Sequence, residues 1–337
     1  MKKASMIAIA AAATFMAGTA SAATLDDVKA KGFIQCGITT GLAGFAAPND
    51  KGVWEGFDVD FCRAMSAAIF GDANKLKYTP TTAKERFTAL QSGEIDVLAR
   101  NTTWTLSRDV NLGFEFIGVN YYDGQGFMVK KSLGVSSAKE LDGARVCLQS
   151  GTTTELNLAD YFAAQGMKFD SVLFDTADEV REAYLKDTCD VYTTDQSGLY
   201  AQRSVVPDPD NHVVLPEVIS KEPLGPLVRH GDNAWGDIAR WTLNALIIAE
   251  ELGVTSANVD EMKGSKNPEI QRLLGESGDL GEQLGLDAAW AYNAIKMVGN
   301  YGEIFEKHLG QETPLKISRG LNQLWSKGGI LYAPPAR

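Results

Sequence analysis

The sequence predicts a two-lobed α/β protein with parallel-rich sheets flanked by helices and a helical C-terminal extension. Three observations favour this fold class. Apolar strand-like runs alternate with helix-like periodicities, this alternation occurs twice, and the last part of the chain has mainly helical periodicity. The 337 residues, of which 45% are hydrophobic and 22% charged, are enough for about two domains with their own cores.

The first strand–helix unit begins with a short apolar strand at residues 33–38. Its other elements are a helix at 61–69 with Asp58 as a candidate cap, a strand at 76–79, a helix at 85–91 and a strand at 95–99. Ser92 and Gly93 close the second of these helices. This β-α-β-α-β order implies a parallel sheet with right-handed crossovers.

The same order recurs in the second unit. It has strands at 145–148, 171–174 and 191–193 and helices at 153–165 and 177–186. Two such units imply two lobes. We expect the chain to cross between them through the extended segments 126–130 and 223–228, which are flanked by Gly or Pro.

After the second crossing, the chain is expected to return to the first lobe. A long amphipathic helix is marked by Trp235, Ile238, Trp241, Ala245, Ile248 and Leu252. Residues 255–337 are mainly helical, and we expect their aromatic residues Trp290, Tyr292, Tyr301 and Phe305 in the core. The predicted lobe 1 is therefore residues 23–127 plus 225–337 with the extension, and the predicted lobe 2 is residues 128–224.

Residues 1–22 have the features of a secretory signal peptide. Lys2 and Lys3 precede an apolar run at 6–16, and Ala20-Ser21-Ala22 supplies small residues for cleavage near Ala22 and Ala23. The cleavage point has no cysteine that could be lipidated. No later stretch reaches the roughly 20 apolar residues that a membrane span needs. The mature protein is thus expected to be exported, soluble and unanchored.

The acidic composition disfavours several kinds of partner. With 43 acidic and 32 basic residues, the formal net charge is −11. Nucleic acids and anionic membrane surfaces attract clustered Lys and Arg, so we expect neither as a partner. Walker, G-x-G-x-x-G, H-E-x-x-H and G-x-S-x-G patterns are absent from the sequence, and we expect no cofactor and no metal.

The four cysteines are Cys36, Cys62, Cys147 and Cys189, and none forms a C-x-x-C pair. An exported chain favours disulfides, of which three pairings are possible. We favour Cys36–Cys62 and Cys147–Cys189, because each pair stays within one predicted lobe, where Cα atoms can come within about 4.4 to 6.8 Å. Four buried free thiols are the alternative.

Polar residues follow the predicted strands where ligands collect in open α/β sheets. The guanidinium of Arg108 fits a carboxylate, and Thr103 can add a donor. In the second unit, Thr153 opens a helix whose free N–H groups suit an anion, and Asp195 follows the last strand. We expect the first three residues to bind the α-carboxylate of an amino acid and Asp195 its α-ammonium. The alternatives are a surface ion pair for Arg108 and a turn cap for Asp195.

Three successive motifs resemble those of the polar amino-acid-binding proteins of bacterial ABC importers, solute-binding protein family 3. They are WEGFDVD at 54–60, RFTALQSGEIDV at 86–97 and NTTWTLSR at 101–108. The run CGITTGLAGF at 36–45 and the long helical tail resemble the general L-amino-acid-binding subgroup. The resemblance implies the type II periplasmic-binding fold, a monomer in the periplasm, and delivery of an L-amino acid to an inner-membrane ABC permease.

The resemblance also assigns site residues. Arg108 matches the family's carboxylate arginine, Thr103 its hydroxyl partner, Asn101 a backbone contact, Phe57 a pocket aromatic, Thr153 a second-lobe backbone donor, Gln149 a pocket-edge residue and Asp195 the ammonium acceptor. Two positions depart from the pattern. Thr39 stands where several members have an aspartate that reads the ligand side chain, and Leu42 where they stack an aromatic ring. We therefore expect broad specificity.

The same fold hosts periplasmic dehydratases that act on prephenate- or arogenate-like carboxylates, and this is the alternative function. Such an enzyme needs a general acid or base near its substrate. The histidines, His212, His230 and His308, do not lie at predicted strand ends that face the cleft, although Glu155 could serve. We expect a binding protein and not an enzyme. A sensor subunit for a chemoreceptor would use the same pocket.

Overall fold

Two five-stranded sheets, each with helices packed on it, organise the computed structural model, which describes residues 24–337. The predicted signal peptide and its cleavage point lie outside this range. Between residues 24 and 337, no helix is long and apolar enough to cross a membrane.

The first lobe begins with the predicted β-α-β-α-β unit. The elements up to the first crossing are α1 (Thr24–Lys31), β1 (Ile34–Thr39), β2 (Ala47–Pro48), β3 (Trp54–Glu55), α2 (Phe57–Phe70), β4 (Leu76–Thr81), α3 (Arg86–Ser92), β5 (Val97–Leu98), β6 (Phe114–Phe116) and β7 (Tyr121–Asp123). The predicted unit consists of β1, α2, β4, α3 and β5. Strand β1 is almost entirely buried and pairs in parallel with β4 and β5, as the alternating pattern predicted. Helices α2 and α3 both end at a glycine in the left-handed conformation, Gly71 and Gly93.

The second lobe repeats this plan. Its elements are β8 (Gln125–Lys130), β9 (Ala144–Gln149), α4 (Thr154–Gln165), β10 (Phe169–Phe174), α5 (Ala177–Leu185), β11 (Val191–Asp195), α6 (Gln196–Ser204) and β12 (His212–Val214). The strand order is β10-β9-β11-β8-β12, in which β9 pairs in parallel with β10 and β11, whereas β8 is antiparallel to β11 and β12.

The chain then returns to the first lobe and continues as helices. These elements are β13 (Glu222–Leu224), β14 (Leu227–Arg229), α7 (Asn233–Glu251), α8 (Val259–Met262), α9 (Pro268–Leu273), α10 (Leu280–Gln283), α11 (Trp290–Val298) and α12 (Tyr301–His308). Strand β14 enters the first sheet between β5 and β6, giving the order β4-β1-β5-β14-β6. The long amphipathic pattern after residue 233 is therefore helix α7, packed on the first lobe through Trp235 and Ile238.

The chain crosses between the lobes through β7 and β13, which pair antiparallel as a separate two-stranded sheet. The predicted crossing at 126–130 is wrong, because these residues form the inner strand β8 of the second sheet, where Phe127 and Val129 are buried. The predicted crossing at 223–228 is correct for residues 223 and 224, which belong to β13, but wrong for residues 227 and 228, which already belong to β14.

The helical extension completes the core of the first lobe. Trp290, Tyr301 and Phe305 are buried there and Tyr292 is partly buried, which confirms the expected core role of these aromatic residues. Beyond α12, the Asn322 side chain accepts a hydrogen bond from the Tyr122 backbone N–H (2.6 Å) and donates one to its carbonyl (3.0 Å). The extension is thus bound to the first crossing strand as well as to the core.

Two disulfides join the four cysteines in the favoured pairing. Cys36–Cys62 links β1 to α2 with Cα atoms 6.4 Å apart, and Cys147–Cys189 links β9 to the segment before β11 with Cα atoms 5.7 Å apart. Each disulfide lies within one lobe, so neither restricts the position of one sheet relative to the other.

We expect the double substitution Cys147→Ala/Cys189→Ala to lower the free energy of unfolding by about 2–4 kcal/mol, because the bridge closes a loop of 42 residues in the unfolded chain. Urea denaturation followed by circular dichroism measures this change. An unchanged midpoint and slope would contradict the prediction.

Candidate ligand-binding site

Arg108 lies inside the molecule, in a single π-type turn (Ser107–Asn111) between β5 and β6. It is only 7% exposed. Its Nη1 donates to the Thr103 carbonyl at 2.8 Å, and its guanidinium lies over the Phe87 ring at 5.2 Å. Among residues 24–337, no carboxylate is within ion-pairing distance of this guanidinium, so the alternative of a surface ion pair is wrong. A buried guanidinium with free donors is a suitable receptor for a carboxylate.

Asp195 is the last residue of β11 and is also 7% exposed. Its side chain does not cap α6, so the alternative role as a turn cap is wrong. Burial raises the pKa of this carboxyl well above its usual value, and the neighbouring carboxylates of Asp123 and Glu222 raise it further, whereas Arg108 and Arg86 oppose the shift. Because its ionised form is disfavoured, a bound cation such as an ammonium would be strongly preferred here.

Residues of both lobes meet at this place, which we call the interlobe site and define by Thr103, Arg108, Thr153 and Asp195. The hydroxyl oxygens of Thr103 and Thr153 are 3.4 Å apart, although the first residue belongs to lobe 1 and the second opens helix α4 of lobe 2. Asp195 of lobe 2 is close enough to Arg108 of lobe 1 to act on its pKa. The structure therefore brings together the four residues that the strand-end argument selected.

The other predicted residues make contacts within their own lobes. Asn101, with a φ of 30°, donates its backbone N–H to Asp58 at 3.0 Å. Phe57 and Leu42 lie in the core of the first lobe, where the Phe57 ring contacts Phe45, Tyr121, Tyr301 and Phe305 edge-on. Gln149 is half-buried at the end of β9, and its side-chain amide donates to the Asp175 carbonyl at 2.8 Å within lobe 2.

A set of buried and half-buried charges around the interlobe site was not predicted from the sequence. Lobe 1 contributes Arg86 and Arg100, each at most 3% exposed, and the crossing strands contribute Asp123 and Glu222. Burial and the two other guanidiniums lower the pKa of Arg86, and burial raises the pKa of Asp123 to about 6. The only sequence signal for Arg86 was its place at the start of a helix after a strand, and Glu222 had none beyond its Pro/Gly-rich surroundings.

Three buried side-chain atoms in this region have no hydrogen-bond partner within the protein. They are the acceptors Asn101 Oδ1 and Gln125 Oε1 and the donor Arg86 Nε. Gln125 stands opposite Asp195 in the β8–β11 register, and Arg86 acts on the pKa of Asp195. Buried polar atoms normally have partners, so unsatisfied donors and acceptors beside buried charges are features of a site for a polar molecule.

The histidines do not join this arrangement. His212 contacts the Tyr184 hydroxyl at 2.9 Å, His308 contacts Asp60 at 2.7 Å, and His230 is half-exposed beside Asp109. The chemistry of the interlobe site is therefore that of carboxylates, guanidiniums and hydroxyls. Fixed groups of these kinds can hold both ends of a zwitterion.

Two such lobes, joined by two crossing strands and with opposite charges facing one another between them, define an extracellular solute-binding protein. The chain belongs to the bacterial extracellular solute-binding proteins, family 3, whose profile matches residues 34–311. It is 65% identical over 323 residues to the general L-amino acid-binding periplasmic protein AapJ of Rhizobium johnstonii, with 95% of each chain covered.

Two further relatives agree with this assignment. The glutamate/glutamine/aspartate/asparagine-binding protein BztA of Rhodobacter capsulatus is 56% identical over 338 residues and all of both chains. A solved ABC-transporter periplasmic binding protein from Brucella ovis, with glutathione bound, has a TM-score of 0.92 and 60% identity, covering 94% of this chain and all of that one. Both relatives are binding proteins by name, and this chain has the fold of the Brucella ovis protein.

We expect Arg108→Lys to weaken binding of an L-amino acid at least tenfold, because lysine keeps the charge but loses the planar fork of donors. Isothermal titration calorimetry measures the affinity. Arg145→Lys is the matched control, since Arg145 is exposed in lobe 2 and pairs with Asp190 at 2.7 Å. Equal affinity of the Arg108→Lys variant and the wild type would contradict the role of this guanidinium.

We expect affinity for a neutral L-amino acid to fall as the pH is lowered from about 8 to about 5. Burial and the neighbouring carboxylates raise the pKa of Asp195, so it takes up a proton at a higher pH than an exposed carboxyl does. The ligand ammonium competes with this proton, so binding strengthens as the pH rises. Calorimetry across this range measures the slope. Asp195→Asn should bind weakly with most of the slope removed, and a wild-type affinity that is constant with pH would contradict the assignment.

Proposed function

We propose that this protein captures L-amino acids of several kinds between its lobes in the periplasm and delivers them to an inner-membrane ABC permease. One observation supports this most directly: a buried guanidinium from lobe 1 and a buried carboxylate from lobe 2, Arg108 and Asp195, meet at one site. Two opposite charges, one from each lobe, suit the two charges of an amino acid.

In the proposed complex, the α-carboxylate binds Arg108 and the backbone N–H groups near Thr153, and the α-ammonium binds Asp195. Thr103 and Asn101 complete the polar contacts, and Phe57, Leu42 and Gln149 form the surrounding wall. Each charge-assisted hydrogen bond contributes roughly 1.5–3 kcal/mol, and micromolar affinity needs about 8 kcal/mol. Two or three such contacts with some apolar burial are enough. Because both lobes hold the ligand, binding favours the closed arrangement.

Broad specificity is proposed from the side chains at two positions. Thr39, buried at the end of β1, and Leu42, in the loop that follows, provide neither a carboxylate nor an aromatic ring that would select one ligand side chain. A γ-glutamyl peptide is a second candidate ligand, because the Brucella ovis relative has glutathione bound and the γ-glutamyl end carries a free α-ammonium and α-carboxylate.

Several further features belong to the same proposal. Residues 1–22 direct export and are removed near Ala22 and Ala23, and the mature protein acts as a monomer. It has no enzymatic activity of its own, so the ligand leaves unchanged. Incubation with prephenate or arogenate, followed by chromatography, tests this last point, and formation of product would favour the dehydratase alternative.

We expect acidic, amide and aliphatic L-amino acids each to raise the melting temperature of the ligand-free protein, since a ligand that binds only the folded state stabilises it. A thermal-shift screen of the twenty L-amino acids, their D-forms and glutathione measures this. The D-forms are the matched control, because they exchange the positions of the side chain and one charged group. A response to one ligand alone would contradict breadth, and no response to any L-amino acid would contradict the proposed function.

A further inference from the structure

The carboxylate of Glu222 accepts four side-chain hydrogen bonds although the residue is almost completely buried. Thr103 and Thr153 donate to Oε2 at 2.5 and 3.0 Å, and Asn157 and Ser220 donate to Oε1 at 2.5 and 2.7 Å. A carboxylate of this kind, with its acceptor capacity filled by neutral donors, is held in a fixed orientation.

We infer that Glu222 is a positioning residue for the ligand: it fixes the hydroxyls of Thr103 and Thr153 as acceptors for the ligand ammonium and links the two lobes in the closed arrangement. This inference rests on the proposed amino-acid binding and adds a residue that does not itself contact the ligand.

The location of Glu222 supports the link between the lobes. It lies on β13, opposite Asp123 of β7, and therefore belongs to the crossing sheet rather than to either lobe. Thr103 donates to it from lobe 1, and Thr153 and Asn157 donate from the start of α4 in lobe 2. Movement of α4 away from the crossing strand breaks two of these bonds, so they stabilise the closed arrangement.

The direction of the hydroxyl protons supports the role of the two threonines as acceptors for the ligand ammonium. A hydroxyl has one proton and two lone pairs, whereas an ionised carboxylate only accepts. Both threonine protons therefore point toward Glu222, and the lone pairs of Thr103 and Thr153 remain available to a donor. The α-ammonium is such a donor, so Thr103 acts beside Asp195 rather than as a donor to the α-carboxylate, the role that the sequence predicted.

The charge of Glu222 also acts on the site. Glu222 and Asp195 both act on the pKa of Arg108, and the attraction holds the guanidinium in its ionised form against the cost of burial. Loss of the Glu222 charge would therefore change the field at the site as well as the hydroxyl orientation.

The test is a double-mutant cycle with Glu222→Gln and Thr103→Val, with affinity for L-glutamine measured by calorimetry. The glutamine amide keeps the shape of Glu222 but has one acceptor oxygen in place of two and no charge, so it cannot satisfy all four donors and the hydroxyl protons of Thr103 and Thr153 are no longer both held. We expect each single variant to bind about tenfold more weakly and the double variant to bind about as weakly as the weaker single variant. Arg145→Lys is the control, because Arg145 is exposed in lobe 2, pairs with Asp190 and contacts neither Glu222 nor the threonines, and it should bind like the wild type.

Two outcomes would overturn the inference: a Glu222→Gln affinity equal to that of the wild type, or additive losses in the double variant, which would mean that Glu222 does not act through Thr103. If Glu222→Gln does not fold, Asn157→Ala on the half-buried face of α4 replaces it, with an expected severalfold loss, and an unchanged affinity overturns the inference. A wild-type protein that binds no L-amino acid would instead contradict the proposed function.

Discussion

The burial of opposite charges on facing sides of one cleft is the constraint on which the structure depends. Lobe 1 buries Arg86, Arg100 and Arg108. Lobe 2 buries Asp195, and the crossing strands bury Glu222 and half-bury Asp123. Each group alone is unfavourable, because an unpaired buried ion costs several kcal/mol. Like charges within each set add to this cost, as the lowered pKa of Arg86 and the raised pKa of Asp195 indicate. The charges of each side are compensated only by the other side, by solvent or by a ligand that carries both signs.

The elements of both sheets could be predicted because their periodicity is local. Strand β1 reads as a short apolar run and α2 as an amphipathic helix, and glycine ends both α2 and α3. The first crossing could not be placed, because β7 and β8 form one extended run from 121 to 130 interrupted only at Gly124. Periodicity does not distinguish a connecting strand from an inner strand of a sheet, since pairing with β11 and β12 is a tertiary property.

The site was predictable where chemistry coincides with topology. Arg108, Thr103, Thr153 and Asp195 each follow a predicted strand, and the ends of parallel strands meet at one edge. Glu222 was not predictable, because it is one of 43 acidic residues and stands in a Pro/Gly-flanked connection that resembles an exposed turn. Its burial depends on donors that lie 119 and 69 residues away along the chain, Thr103 and Thr153. Arg86 likewise resembles a solvent-facing residue at a helix start, because its burial also depends on residues that are distant in the sequence.

The contact of Asn322 with Tyr122 determines where the molecule can pivot. The backbone N–H and carbonyl of Tyr122 are both hydrogen-bonded to Asn322 of the C-terminal tail, and this tail packs on the first lobe. A rotation of the second lobe relative to the first would therefore change the backbone dihedral angles after this residue, at Asp123 and Gly124. Gly124 has little free space, since a Cβ atom there would lie 2.2 Å from Val218 Cγ1 and 2.7 Å from the Ser220 carbonyl oxygen. The tail thus fixes the lobe 1 end of the first crossing strand, so a rotation between the lobes has to change the backbone of this strand after Tyr122.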